Sequence, residues 1–143
     1  MNIGYKINYG SKLLKNKLNK ELEEENITAS QFATIKDIET NSKNKEVVVA
    51  KEIAERLGMD KPTMSGIISR LIDKDYLSKN VNPNDKRSFA LKLTKKAKLK
   101  LKTLEQISNS VLDEALRNLN KIEIESFENT LNKIISNLSD NDE

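Results

Sequence analysis

Hydrophobic residues in segment 60–74 recur at the spacing of an α-helix. At about 100° per residue they fall within about 140° of arc, the width of a core-facing stripe: Met64, Ile67, Ile68, Leu71 and Ile72. Asp60 is a suitable N-cap, and Pro62 is tolerated in the first turn because its missing N–H has no helical partner there. The pattern therefore predicts a helix whose other face is small and polar, with little charge before Arg70.

A second, shorter helix is predicted just before this one. Residues 50–57 are amphipathic, and Gly58 stands where glycine usually ends a helix. The three-residue turn Gly58–Asp60 gives the two helices the spacing of a helix-turn-helix. In that motif the small residues and hydroxyl groups of the second helix can approach base edges and phosphates. The alternative is an ordinary surface helix.

A β-hairpin is predicted after the helix pair. Residues 76–81 and 88–93 each alternate apolar and polar side chains, which is the period of a β-strand. The segment between them, 82–87, is rich in turn-forming residues and ends in Lys86 and Arg87. This hairpin has the position of the wing in a winged helix-turn-helix, although out of context an Asp-Lys-Arg sequence is a simple hairpin tip.

The N-terminal part carries helical periodicity as well. Residues 3–25 are predicted as one helix, and a capping box formed by Thr28 and Gln31 opens a second helix that runs to about residue 40. Val47–Val49 is apolar and β-branched, which predicts a short strand that pairs with the wing.

The C-terminal part predicts two further helices. Thr94 caps one that runs to about residue 119, and Asn120 with Glu123 opens a last one, followed by an exposed acidic tail at 139–143. The first helix and these last two carry more apolar surface than the winged lobe can bury. Part of that surface is therefore expected to pack on another subunit.

In this order the elements resemble the MarR family of bacterial transcriptional regulators. The resemblance rests on the Lys-Pro-Thr-Met-Ser sequence at Lys61–Ser65, the Asp-x-Arg motif of Asp85 and Arg87, and Leu93-Thr94 before a long helix. It implies a mainly α fold with a small β-hairpin wing, a winged helix-turn-helix with terminal dimerisation helices. One MarR-like unit would span 1–143, with a DNA-binding lobe at 28–93 and dimerisation helices at 1–25 and 95–139.

The partners predicted for such a protein are double-stranded DNA and a second copy of the chain. The candidate DNA-binding residues are Lys61, Pro62, Thr63, Ser65, Gly66, Ser69, Arg70, Asp85, Lys86 and Arg87. On the helix, the residues before Arg70 are expected to face bases and nearby phosphates, and Arg70 the DNA backbone. The resemblance implies that Arg87 enters the minor groove while Asp85 orients its guanidinium. A homodimer acting as a repressor would bind a pseudo-palindromic operator.

Three positions depart from the family pattern. Many members carry a long polar residue such as Arg at the position of Gly66, so base readout there is altered. Members usually have Gly where this chain has Asp75, which requires either a different helix end or a left-handed Asp. Val49 stands where the family has a Thr or Ser that caps the next helix. The helix at 50–57 therefore lacks a side-chain cap, but the fold is expected to be kept.

A small-molecule effector site is a further implication of the resemblance. Family members often sense phenolic or lipophilic molecules in a cleft between the DNA-binding and dimerisation lobes. Tyr5, Tyr9, Phe32 and Ile35 are the candidates to line such a cleft here. Aromatic residues at helical spacing more often belong to a core, which is the alternative.

Positive charge is concentrated in the predicted DNA-binding part. The chain of 143 residues has a formal net charge of +3. Residues 61–102 contain twelve Lys and Arg against three Asp, a net of +9, so the remaining residues sum to −6. A basic segment that includes a candidate recognition helix and wing is expected of a protein that binds a polyanion. The alternative for the lysines of 95–102 is a solvated helix start.

Composition excludes several other classes. The absence of Cys excludes disulfides, thiolate metal sites and thiol redox sensing, and the absence of His removes the commonest general base and metal ligand. Since no P-loop, nucleophile elbow or metal-ligand cluster is present, we expect no enzyme activity, cofactor or metal. Without a signal-peptide pattern or a membrane-length apolar run, a cytoplasmic protein is expected. The remaining alternative is a winged-helix protein–protein interaction module without specific DNA binding.

Overall fold

The computed structural model describes residues 2–44 and 47–139. Within those ranges the elements are α1 (Ile3–Leu22), α2 (Ala29–Ser42), α3 (Ala50–Leu57), α4 (Lys61–Asp73), β1 (Leu77–Val81), β2 (Phe89–Leu93), α5 (Lys95–Ala115) and α6 (Lys121–Ser139). The two strands pair antiparallel, with Leu77 opposite Leu93 and Val81 opposite Phe89. The predicted fold class, mainly α with a small β-hairpin, is confirmed.

The chain forms two compact units, Met1–Val111 and Leu112–Glu143. In the first unit, one hydrophobic core joins the helices and the inner side of the hairpin. Its largest fully buried apolar members are Leu22, Ile35, Ile38, Ile53, Met64, Leu71 and Leu104. Burying a side chain of this size contributes roughly 1.5–3 kcal/mol relative to leaving it exposed. The stripe predicted on α4 is confirmed, because four of its five residues are buried and the fifth packs against this core.

The predicted helix starts are confirmed by their capping bonds. In the capping box of α2, the Gln31 N–H donates to Thr28 Oγ1 and the Thr28 N–H donates to Gln31 Oε1, both at 3.1 Å. The Thr94 hydroxyl accepts the Ala97 N–H at 3.1 Å and so opens α5. Val49 precedes α3 without a side-chain cap, as expected. These bonds satisfy backbone donors that a helix leaves unpaired in its first turn.

Two predicted helix ends and one predicted strand are wrong. Helix α1 ends at Leu22, because Glu23–Glu25 tightens into a 3₁₀ turn and Asn26 adopts φ 55°. Helix α5 ends at Ala115 and is followed by a turn in which Asn118 has φ 68°. Val47–Val49 is not a strand. Among the described residues it is joined to the wing by a single backbone bond and not a ladder, with the Leu91 N–H donating to the Val48 carbonyl at 2.8 Å.

The second unit consists of the end of α5, a turn and α6. Asn120 and Glu123 form the predicted cap, with the Glu123 N–H donating to Asn120 Oδ1 at 2.8 Å. The large apolar residues of α6 that face solvent in the single chain are Ile122, Phe127, Ile135 and Leu138. Of the predicted acidic tail, residues 140–143 lie outside the described residues. Among the helices that the structure describes, none is both long and apolar enough to span a membrane.

Candidate nucleic-acid interface

The turn between α3 and α4 sets the direction of the candidate recognition helix. Gly58 has φ 65°, a left-handed conformation that glycine adopts without steric cost, and the Met59 N–H returns to the Ala54 carbonyl at 2.9 Å. Asp60 Oδ1 then accepts the Thr63 N–H at 2.7 Å. This backbone hydrogen bond holds the pKa of Asp60 below its usual value, and a hydrogen bond with the Thr63 hydroxyl adds a smaller effect in the same direction. The ionised carboxylate therefore caps α4 at its positive end.

An ion pair that the sequence analysis missed fixes α3 against α2. The Arg56 guanidinium binds Asp37 through two nitrogens, Nε to Oδ2 at 2.9 Å and Nη2 to Oδ1 at 2.8 Å. These bonds raise the pKa of Arg56. The two-pronged geometry fixes orientation as well as distance, so it positions α3 and the turn that follows it. Sequence patterns offered no signal, since the partners lie nineteen residues apart.

The polar face of α4 is exposed, as predicted. Most of the helix candidates present their side chains to solvent, namely Lys61, Pro62, Thr63, Ser65, Ser69 and Arg70. Gly66 is partly covered, because the Arg70 guanidinium folds back over it. A Cβ built on Gly66 would lie 3.3 Å from Arg70 Nη1. The structure thus brings these candidates onto one surface.

Helix α4 ends in a left-handed Asp75, one of the two possibilities that the sequence left open. Asp75 has φ 63°. The Tyr76 N–H donates to the Leu71 carbonyl at 2.8 Å and the Asp75 N–H to the Ile72 carbonyl at 2.9 Å, the pair of bonds that defines a Schellman motif. The Thr94 hydroxyl donates to the Asp75 carbonyl at 2.7 Å. The end of the candidate recognition helix is therefore tied to the start of α5.

The wing tip carries the remaining candidates, Asp85, Lys86 and Arg87. Asp85 Oδ1 accepts both the Arg87 N–H at 3.0 Å and Arg87 Nε at 3.2 Å. Both bonds hold the pKa of Asp85 below its usual value, and the backbone bond has the larger effect. The Arg87 side chain is 91% exposed, and Lys86 is exposed beside it. The carboxylate orients a guanidinium that remains accessible to a ligand.

The lysines at the start of α5 divide into two groups. Lys96 Nζ lies 4.8 Å from the centre of the Tyr76 ring and donates to the Lys74 carbonyl, and Lys100 pairs with Glu25. These two have structural contacts. Lys95, Lys98 and Lys102 are exposed, as a solvated helix start would have them.

The four effector candidates do not share one environment. Phe32 and Ile35 belong to the hydrophobic core, whereas Tyr5 and Tyr9 are exposed on α1 with their ring centroids 6.1 Å apart. None of the four lines the open cavity of about 470 Å³ between α1, α2 and the end of α4. All but one of the residues that line it are of polar or charged type: Lys15, Asn19, Glu23, Asn26, Ile27, Thr28, Ser30 and Lys74.

Comparison with known proteins places this geometry in a family. A model of the MarR family matches residues 27–89, from just before α2 to the first residue of β2. Residues 27–89 form a MarR-family domain. This match contains every one of the recognition-helix and wing residues described above.

Similarity to known transcriptional regulators extends over nearly the whole chain. The HTH-type transcriptional regulator SarZ of Staphylococcus aureus is 27% identical over 131 residues, covering 92% of this chain and 84% of the relative. A mutant MarR from E. coli, solved in complex with operator DNA, has a TM-score of 0.83 at 26% identity and covers 92% of both chains. A SlyA-like transcription regulator from Listeria monocytogenes has a TM-score of 0.87 at 22% identity, and the alignment covers 99% of this chain and 91% of that one. This likeness shows that the two chains share a fold.

Proposed function

We propose that this protein is a homodimeric transcriptional repressor that binds a pseudo-palindromic DNA operator. The observation that supports this proposal most strongly is that the chain exposes both a face of small and polar residues on α4 and, on the wing, an Arg87 oriented by Asp85. The operator-bound relative from E. coli supports the same use of the fold. Helix α4 would enter the major groove, and Arg87 the adjacent minor groove, where it would read groove width. The protein acts without catalysis, in the cytoplasm.

Unpartnered apolar surface supports the homodimer. Large hydrophobic side chains are exposed at the N-terminal end of the first unit and in the second unit: Ile3, Ile7, Leu13, Leu14, Leu112, Leu119, Ile122, Phe127, Ile135 and Leu138. Leaving so many in water is unfavourable, since each buried CH₂ group contributes about 0.8 kcal/mol. Burial against a second copy would remove this cost and would place two recognition helices about one DNA turn, or 34 Å, apart.

Selection of duplexes from a random DNA pool tests the proposal. We expect enrichment of a pseudo-palindrome with half-sites about ten base pairs apart, centre to centre. Affinity for the selected duplex should fall steeply with salt, by about 0.9 log units per log unit of salt for each phosphate neutralised. Arg87→Ala provides the matched control, because it removes the exposed guanidinium and leaves the core untouched. A failure of wild-type protein to enrich any duplex at low salt would refute the proposal.

A small phenolic or lipophilic effector that releases the DNA belongs to the same proposal. Tyr5 and Tyr9 are the exposed members of the candidate set. Salicylate, as a phenolic probe, should lower the affinity for the selected operator, and Tyr5→Ala with Tyr9→Ala should reduce that response. Unchanged DNA affinity at saturating probe would remove the phenolic class from the proposal.

A further inference from the structure

We propose that Arg70, lying across Gly66, is the residue of α4 that reads a guanine in each half of the operator. The inference rests on the proposed function and gives Arg70 a base-reading role, where the sequence pattern alone assigned it to the DNA backbone. Gly66 is its companion, because the absence of a Cβ there leaves room for the guanidinium to lie beside it.

The geometry of the pair carries the argument. The Arg70 Nη1 atom is 3.3 Å from the point that a Cβ of Gly66 would occupy, which is closer than ordinary van der Waals contact. The guanidinium therefore lies beside Gly66, one turn before its own Cα. Long helical side chains point in this direction, so each covers the surface over the preceding turn. Arg70 thus delivers its charge about 5–6 Å back along the exposed face.

The rest of that face has no comparable group. Thr63, Ser65 and Ser69 each offer one short hydroxyl, which can donate to or accept from several bases and so discriminates weakly. Lys61 is a compact charge at the start of the helix. Arg70 is exposed, and among the described residues it makes no hydrogen bond or ion pair. Its donors are therefore available to a ligand.

Guanine is the base that matches these donors. Its O6 and N7 atoms are two acceptors side by side in the major groove, and the planar guanidinium fork bonds both at once. Adenine presents a donor in place of one acceptor, so the same fork loses a bond. A Cβ at position 66 would require the guanidinium to shift, and a long side chain there would compete with it for the same surface. The Gly66 departure from the family pattern is therefore compensated by Arg70 from one turn away.

The test compares base preference in duplexes selected by wild type, Arg70→Ala and Arg70→Lys. In the wild type we expect one strongly preferred G·C pair in each half-site. Replacing that pair should weaken binding roughly 5- to 100-fold. Arg70→Ala should lose this preference and retain the others. Arg70→Lys keeps the charge without the fork, so the preference should vanish while the salt slope stays near the wild-type value.

Variants of Gly66 test the companion role. Gly66→Gln fills the space under the guanidinium and should weaken the same guanine preference, although Arg70 is still present. Ser69→Ala is the matched control on the same face, and it should leave that guanine preference in place. Circular dichroism and thermal melting establish that each variant is folded. The Arg70 variants are expected to fold because the side chain of residue 70 is exposed.

The outcomes separate this inference from the proposed function. A wild-type protein that selects no duplex removes both. In a second outcome, the wild type selects a palindrome, and Arg70→Ala loses the same factor in affinity for every sequence and has a shallower salt slope. That outcome retains the proposed function and overturns the inference. That result would return Arg70 to the DNA backbone. A guanine preference that survives in Gly66→Gln would overturn the role of Gly66.

Discussion

Asn82 Nδ2 donates to Ser88 Oγ at 2.9 Å and so joins the two sides of the wing tip. The Asn82 side-chain oxygen also accepts the Asn84 N–H at 2.9 Å, and the residue is only 6% exposed. A buried amide with both ends bonded restricts the loop that carries Asp85 and Arg87. Asn82 is therefore a positioning residue for the wing, and the sequence signal for it is the turn-forming Asn-Pro-Asn of 82–84.

Asn82→Ala should lower both stability and DNA affinity. It removes two hydrogen bonds, and we expect the free energy of unfolding to fall by about 1–2 kcal/mol. DNA affinity should fall several-fold because Arg87 is less constrained. Chemical denaturation and fluorescence anisotropy on the selected operator measure the two effects. Asn84→Ala is the control, since only its backbone N–H takes part. Wild-type affinity in Asn82→Ala would show that the wing tip does not need this amide.

Arg87→Ala should lose DNA affinity without losing stability. The side chain is almost fully exposed, and it pairs with Asp85, two residues away. We expect a roughly 10- to 100-fold loss of affinity, the range for a hydrogen-bonded charge. Melting temperature should stay at the wild-type value. Lys86→Ala, on the same tip, should show a smaller loss that is equal for all sequences. If Arg87→Ala bound the operator as tightly as wild type, the wing would have no part in recognition.

Asp75→Gly should stabilise the protein. Asp75 holds φ 63°, where an L-residue is strained and glycine is not. We expect a gain of up to about 1 kcal/mol, or a rise in melting temperature of a few degrees. Asp73→Gly is the matched control, because position 73 is helical and glycine there should cost about 1 kcal/mol. A lower melting temperature for Asp75→Gly would mean that the Asp side chain contributes more than its backbone strain costs.

Leu112→Asp should disrupt the homodimer. Leu112 is apolar and 45% exposed in the single chain, and it continues the stripe predicted on α5. Burying an unpaired carboxylate in an apolar interface costs several kcal/mol. Sedimentation velocity should show a monomer where wild type is dimeric. Leu99→Asp is the control, since Leu99 is more exposed and lies among lysines away from that stripe. A dimer in the Leu112 variant would place the interface elsewhere.

Helix starts and the hairpin were predictable because their causes are local. Thr28 with Gln31, and Asp60 with Thr63, close their bonds within three residues. The alternation that predicted the hairpin is likewise a property of consecutive residues. The apolar stripe of α4 followed from helical geometry alone, and burial confirms it.

The end of each long terminal helix was not predictable in this way. Glutamates, which favour helices, continue past Leu22, and apolar residues continue past Ala115, so the sequence pattern extended both helices too far. What ends them is a backbone reversal at Asn26 and at Asn118, where the chain takes a positive φ. Asparagine tolerates that conformation but occurs in many others, so its presence alone does not mark a helix end.

The sequence by itself determined the resemblance to the MarR family, the order of the helices and the hairpin, and the polar face of α4, since all three depend on spacing within short segments. Only the tertiary structure decided which side chains the core takes up, as with Phe32 and Ile35, and which distant groups meet, as with Arg56 and Asp37. The path of Arg70 over Gly66 is of the same kind. Periodicity gives the helix face from which a side chain projects. The rotamer of that side chain and its neighbours decide where its charged group lies.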